Sequence, residues 1–398
     1  MGIYGKKFHT VFNTNVTFGV DSVKENLVTT IKDYNKSQVF LVTDPGLVKA
    51  GVVDKITSLL GENSVNYTVF SEVEANPRAE TVMEGAKKFK KEESDLILAV
   101  GGGSAIDFGK AVGVMISHEG HILDYRRGEK ELTNETPTLF AIPTTVGTGT
   151  EVTAISVVTD DVRGRKYVIS SPLLTPDIAF VDPMLTSSLP RHIVSTTAID
   201  ALVHAIEAYV SMKSNPFSDG LALQAIRMIE KSLPASYAQP EDMEARSQLH
   251  LASTIAGLAF GTGGLGMVHS CSHPMSAVHD VPHGLANAVI LPHVVEHNLI
   301  SNHQKYADIA RIFDDSLYAI SDKKAAEMLV NILKEFIADL DIATDFSYLK
   351  LEFTEEMVDR LSEDAMNDIG TIPNNPRKAV KEDIKEIYKK VLPLSNEE

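Results

Sequence analysis

Short β-rich runs alternate with helical patterns up to about residue 185 of this chain and then stop. QVFLVT (38–43), NYTVF (66–70), DLILAV (95–100), TLFAIP (138–143) and DIAFVDP (177–183) are the runs, and segments 47–60 and 79–89 between them repeat apolar residues every three or four positions. That rhythm predicts βαβ units around a parallel sheet. Beyond Pro183 the segments 197–212, 218–231, 241–260 and 323–340 read as helices only. The expectation is an α/β domain over residues 1–185 and an all-helical domain over 186–398, divided at DPMLTSSLPR (182–191). A length of 398 residues suits two cores better than one.

Acidic residues outnumber basic ones by 54 to 37, a net charge of −17 that repels phosphate backbones and anionic lipid surfaces. Nucleic acid is therefore excluded as a partner. The single cysteine, Cys271, cannot close an internal disulfide and fits a reducing compartment. The opening MGIYGKKFHTVF carries no apolar export signal, and the longest apolar stretch, Leu96 to Ile106, falls short of the roughly 20 residues that span a bilayer. A cytoplasmic protein with no membrane span is expected.

DLILAV runs straight into GGGSAIDFGKAVGVM, so a buried strand turns through Gly101, Gly102 and Gly103 into a helix starting near Ser104. Glycine lets backbone approach a ligand, and a helix N-terminus offers unpaired N–H groups and a positive dipole end. A second strand, TLFAIP, ends in TTVGTGTEVT, where Thr144, Thr145 and Thr148 interleave with glycines. Both loops stand at carboxyl ends of presumed parallel strands, where open α/β sheets bind ligands, and together they predict a dinucleotide site. The Rossmann order is inverted: the candidate ribose-binding acid, Asp44, precedes the glycines. A carboxylate there accepts from ribose hydroxyls and repels a 2′-phosphate, favouring NAD over NADP.

Eight of the 13 histidines fall between His250 and His303. Asp200 and His204 stand at i and i+4 of one helical pattern, His269 and His273 repeat that spacing, and His283 follows a Pro-containing turn. Asp200, His204, His269 and His283 together form a candidate divalent-metal set of three imidazoles and one carboxylate. Such donors suit Zn²⁺ or Fe²⁺ rather than Ca²⁺ or Mg²⁺. Cys271, turned off that face, and His279 and His293 read as structural.

GGGSAID, TTVGTGTEVT, DALVHAIEAY, GMVHSCSHPMSAVHDVPHG, LANAVILPHV, the early ANP (75–77) and NPR (375–377) occur in an order and spacing that resemble the iron-containing (group III) alcohol dehydrogenases. The resemblance implies a dehydroquinate-synthase-like fold: an N-terminal dinucleotide-binding α/β domain and an all-α C-terminal metal-binding domain. It implies hydride transfer between NAD(P) and a small primary alcohol, diol or aldehyde, one divalent ion (iron, with zinc as the alternative), and a homodimer or larger homo-oligomer. Carried over by motif, the metal ligands are Asp200, His204, His269 and His283, with His273 beside the reacting groups. The cofactor contacts are Asp44, Asn76, Gly102, Gly103, Ser104, Asp107, Thr144, Thr145, Thr148 and Lys166. Met275 and Ser276 stand where the family often carries Leu-Gly, a departure that bears on which alcohol fits. Two other readings share the architecture. One is a metal- and NAD-dependent lyase of the dehydroquinate-synthase type, which needs a basic pocket that residues 250–300 do not supply. The other is a non-catalytic nucleotide-binding protein.

Overall fold

The computed structural model describes residues 7–163 and 165–394. Their contacts form two units: Asn13–Val194 with Ala235–Gly257, and the described residues of Met1–Phe12, Ser195–Pro234 and Leu258–Glu398. This partition falls at residue 194 rather than 185. It also assigns 235–257 to the sheet unit, a long-range association that local sequence patterns do not carry.

The sheet unit contains β1 (Asn15–Phe18), α1 (Ser22–Asp33), β2 (Gln38–Val42), α2 (Pro45–Lys49), α3 (Val52–Glu62), β3 (Asn66–Phe70), α4 (Ala79–Lys91), β4 (Leu96–Gly101), α5 (Gly103–Ser117), β5 (Leu139–Pro143), β6 (Ile155–Asp160), β7 (Arg165–Ser170) and β8 (Ile178–Val181). Six strands make one parallel sheet in the order β1-β8-β5-β4-β2-β3. Successive residues of a strand face opposite sides, and the core divides accordingly. Val39, Leu41, Leu96, Leu98 and Phe140 pack with α1 and α3, while Phe40, Val42, Ile97, Ala99 and Ala141 pack with α4 and α5. Burial on both faces is why β2, β4, β5 and β8 read as unbroken apolar runs.

The chain steps outward from β2 to β3 and then crosses back to place β4 on the other side of β2. That reversal opens a crevice at the carboxyl ends of β2 and β4, the usual ligand position in such sheets. Three local features depart from the sequence expectation. β1 is an added edge strand, and β6 and β7 pair as a separate antiparallel hairpin. The helical pattern over 47–60 is broken at Gly51, whose φ of +72° ends α2 and starts α3.

The remaining helices are α6 (Arg191–Val210), α7 (Pro216–Ala238), α8 (Met243–Gly263), α9 (Met267–His279), α10 (His283–Asn298), α11 (His303–Phe313), α12 (Asp322–Ala338), α13 (Glu355–Met366) and α14 (Lys381–Val391). Within the helical unit α9 packs on α10 and α13, α10 on α12 and α14, and α11 on α12. Among single helices of the described residues, α6 alone is long and apolar enough to cross a bilayer, but 83% of its apolar window is buried inside the fold. Burial accounts for its apolarity without a membrane.

Candidate metal centre and nucleotide-binding loops

In the sheet unit, Asp44 follows β2 and caps α2, its Oδ1 accepting from the amides of Gly46 (2.8 Å) and Leu47 (3.1 Å). Its other oxygen lies beside the glycine turn: a β-carbon on Gly101 would stand 3.6 Å from Asp44 Oδ2 and only 2.5 Å from the Ala105 β-carbon. A β-carbon on Gly102 would meet Thr145 at 3.1 Å, and one on Gly103 would meet Thr148 at 2.9 Å. Only glycine lets the two loops close to this distance. Ser104 Oγ donates to the Ala75 carbonyl, drawing the loop with Asn76 to the same crevice. Thr144 is buried, and its amide donates to Gly101 O (3.0 Å). Among the described residues no side-chain hydrogen bond caps α5, so its first-turn amides and dipole point toward the space these residues enclose.

The far end of the threonine loop is pinned by a lysine that the motifs did not single out. Lys110, buried on α5, donates to the carbonyls of Thr150 (2.6 Å), Thr153 (2.8 Å) and Ile155 (2.8 Å). Burial pulls its ammonium down to about 8, against the opposing pull of Asp107 and Glu151. Asp107 belongs to this brace: it accepts from Thr150 Oγ1 (2.6 Å) and the Val157 amide (3.0 Å). Burial pushes the Asp107 carboxyl up, while Lys110, Thr150 and Val157 pull it down. Lys166 lies on β7, opposite Thr159 in the hairpin.

In the helical unit, α6 carries Asp200, His204 and Glu207 at i, i+4 and i+7, one buried stripe on a single face. α9 brings His269 and His273, and α10 begins at His283. Gly284 sets the approach of α10 to α6, since a β-carbon there would stand 2.2 Å from the Thr196 carbonyl oxygen. The Nε2 atoms of His204, His269 and His283 lie 3.7, 3.8 and 3.7 Å from the same oxygen, Asp200 Oδ1. These separations are too long for hydrogen bonds. They are close to the roughly 3.3–3.6 Å between neighbouring ligands of a tetrahedral ion at about 2.0–2.2 Å. Asp200, His269 and His283 each offer a ligand atom within 4.8 Å of the others.

These three donors therefore fit a divalent cation of the zinc or ferrous class, while His204, whose Nε2 is 3.7 Å from Asp200 Oδ1, stands outside that mutual 4.8 Å grouping. Burial pushes the Asp200 carboxyl up, opposed by His204 and the Asn287 hydrogen bond, so an uncompensated carboxylate there is costly and a cation relieves it. Burial also holds His269 well below the usual imidazole range, helped by His204 and His273, which keeps it neutral as a ligand must be. His273 stacks on His283 at 5.5 Å, and their side chains, 35% and 34% exposed, leave one flank of an otherwise buried cluster open.

Three supporting residues escaped the motif reading. Glu207 accepts from His269 Nδ1 at 2.7 Å, and burial pushes its carboxyl up to about 7 against the pull of the Gly266 and Val268 amides. Its signal was present as a third polar residue on the stripe of an apolar helix. Asn287, one turn after His283, donates to Asp200 Oδ1 at 2.6 Å and has no partner for its own oxygen among the described residues. Asp368 accepts from His273 Nδ1 at 2.8 Å. Burial raises that carboxyl, but the hydrogen bond and charge of His273, with Thr371 and the Gly370 amide, outweigh it and hold it at about 2.

Comparison with known proteins agrees with both halves. Residues 13–183 match the family described as iron-containing alcohol dehydrogenase, and residues 194–392 match the C-terminal part of the Fe-containing alcohol dehydrogenase family. The chain is 39% identical to 1,3-propanediol dehydrogenase of Citrobacter freundii over 357 residues, 89% of this chain and 91% of that protein. It is also similar to the crystal structure of a 1,3-propanediol oxidoreductase, with a TM-score of 0.93 and 35% identity over 97% of this chain and 100% of that one. Sulfoacetaldehyde reductase from Bifidobacterium kashiwanohense, solved in complex with NAD⁺, gives a TM-score of 0.88 and 28% identity over 97% and 99%. These relatives are oxidoreductases and do not favour the lyase reading. Likeness on this scale, in sequence and in backbone together, reflects common descent rather than a recurring architecture, and the chain therefore belongs to the iron-containing alcohol dehydrogenase family.

Proposed function

We propose that this protein moves hydride between a nicotinamide dinucleotide, NAD in preference to NADP, and a small primary alcohol, diol or aldehyde. One divalent ion, iron or zinc, is held by Asp200, His204, His269 and His283. The observation that carries the reading is the convergence of three Nε2 atoms on Asp200 Oδ1 at 3.7–3.8 Å. When bound, such an ion supplies Lewis acidity to an alcohol oxygen, and the nicotinamide supplies the hydride acceptor or donor.

The chain's own groups do the rest. The α5 amides, with Thr145 and Thr148, grip a pyrophosphate, and Asp44 Oδ2 accepts from ribose hydroxyls while opposing a 2′-phosphate. His273 keeps a proton on Nδ1 toward Asp368, which leaves Nε2 to take up and pass on the proton of the alcohol.

The test is absorbance of NADH with purified protein, Fe²⁺ or Zn²⁺, and a panel of short alcohols and diols. Alcohol-dependent appearance of NADH is expected. Phosphate release from a sugar phosphate without net NADH would instead identify a lyase, and silence across the panel a binding protein.

A further inference from the structure

We infer that Glu207 positions His269 as a metal ligand, by accepting from Nδ1 and so favouring, together with the Asn287 amide nitrogen that stands 3.3 Å from Nε2, the tautomer whose Nε2 lone pair faces Asp200. This inference rests on the reading of Asp200, His204, His269 and His283 as ion holders, and adds a positioning residue to them. Glu207 Oε2 accepts from His269 Nδ1 (2.7 Å) and the Gly266 amide (2.9 Å), and Oε1 accepts from the Val268 amide (2.7 Å). All of these partners precede or open α9, so one carboxylate caps that helix and orients the first of its residues to carry chemistry. A proton held on Nδ1 by an acceptor leaves the lone pair on Nε2, 3.8 Å from Asp200 Oδ1.

The carboxylate reaches this position because of its place on α6. Asp200, His204 and Glu207 share one face, so the helix that supplies two ligands also steers a third, from α9. Gly266 leaves the room: a β-carbon there would stand 3.1 Å from Glu207 Oε1. Asp200 and Glu207 are both buried, 3% and 5% exposed, so both carboxylates meet His269 inside the fold, Oδ1 of Asp200 on the Nε2 side and Oε2 of Glu207 on the Nδ1 side. A helix cap alone would need only the two amides; the third hydrogen bond, to an imidazole ring, points to the ion.

The discriminating variant is Glu207→Gln. It keeps the size and can still accept from an α9 amide, but whichever way the new amide turns, one N–H is set against another. With the amide nitrogen turned to His269 the ring must accept at Nδ1 and carries its proton on Nε2; with the amide oxygen turned there, the Val268 N–H is opposed and the Nδ1 hydrogen bond loses its charged acceptor, so in either orientation Nε2 is a weaker donor to a cation. The expected result is a 10- to 100-fold weaker Co²⁺ or Zn²⁺ affinity in chelator competition, with an altered Co²⁺ visible spectrum. Unchanged affinity with an unchanged spectrum would overturn the inference, even if the melting temperature falls, because a mere cap loses stability and not ion binding. Should the variant fail to fold, ¹⁵N NMR of metal-free wild-type protein decides. His269 protonated on Nδ1 supports the assignment, and protonation on Nε2 overturns it. Wild-type protein that takes up neither ion, yet shows the Nδ1 tautomer, would sink the metal reading and leave the Glu207–His269 geometry standing.

Discussion

Gly284→Ala perturbs the candidate centre without touching a ligand. The added β-carbon would lie 2.2 Å from the Thr196 carbonyl oxygen and 2.8 Å from its carbon, both backbone atoms that no rotamer change can move. Relief requires α10 and α6 to part by about 1 Å, as close-packed interiors do not absorb such overlap. His283, the preceding residue, then carries its Nε2 from 3.7 Å to roughly 4.5 Å from Asp200 Oδ1, outside the bite of a tetrahedral ion. Ion affinity should fall about 10- to 100-fold, the scale on which loss of ligand support acts, and overpacking should cost about 1–3 kcal/mol of stability. The control is Gly220→Ala on α7, where the new methyl meets nothing within 4 Å. It should leave affinity intact and gain up to about 1 kcal/mol from helix propensity. Chelator competition and thermal melts of both variants measure these effects. Wild-type affinity in Gly284→Ala would refute the argument that this contact sets the ligand spacing.

Three further outcomes follow from individual residues. Asp44→Gly should raise the NADP-to-NAD ratio of kcat/KM, at a cost of up to about 1 kcal/mol from the lost α2 cap; an unaltered ratio would show that another group reads the ribose. Asp368 is held at about 2 against an ordinary 3.8, so it contributes stability on the order of 2 kcal/mol that is present above pH 3.8 and lost as pH falls toward 2. Denaturant melts of Asp368→Asn should therefore converge with wild type across that window, and parallel acid limbs would contradict the assignment. His250 is fully buried, with no hydrogen-bond partner for either ring nitrogen among the described residues, and burial holds it at about 3. Its folded pKa lies below the unfolded one, so stability drains as pH falls from 6.5 toward 3. His250→Leu should flatten that limb and raise the melting temperature at pH 7, and a lower one would mean that the ring has a partner after all.

The fold was legible where burial is symmetric. β2, β4, β5 and β8 are apolar on both faces and stand out as runs, whereas the mostly exposed edge strand NVTF of β1 and the polar RKYVIS of β7 carry no such signal. The break at Gly51 was obscured because the apolar spacing continues across it. In the centre, Asp200–His204 and His269–His273 were readable because i and i+4 share a helix face. Glu207 obeys the same geometry, but glutamates mostly occupy exposed helix faces, so its residue type gives no local sign that it is buried. Asp368 meets His273 across 95 positions of sequence, a pairing made by the packing of α13 on α9 and not by any local pattern.

X-ray absorption at the metal edge of the Fe²⁺- or Zn²⁺-loaded protein tests the central assignment most directly. Asp200, His204, His269 and His283 predict one ion per chain with three imidazoles and an oxygen at about 2.0–2.2 Å, and the loss of an imidazole signal in His269→Ala. An oxygen-only shell, or a spectrum indifferent to that substitution, would contradict it.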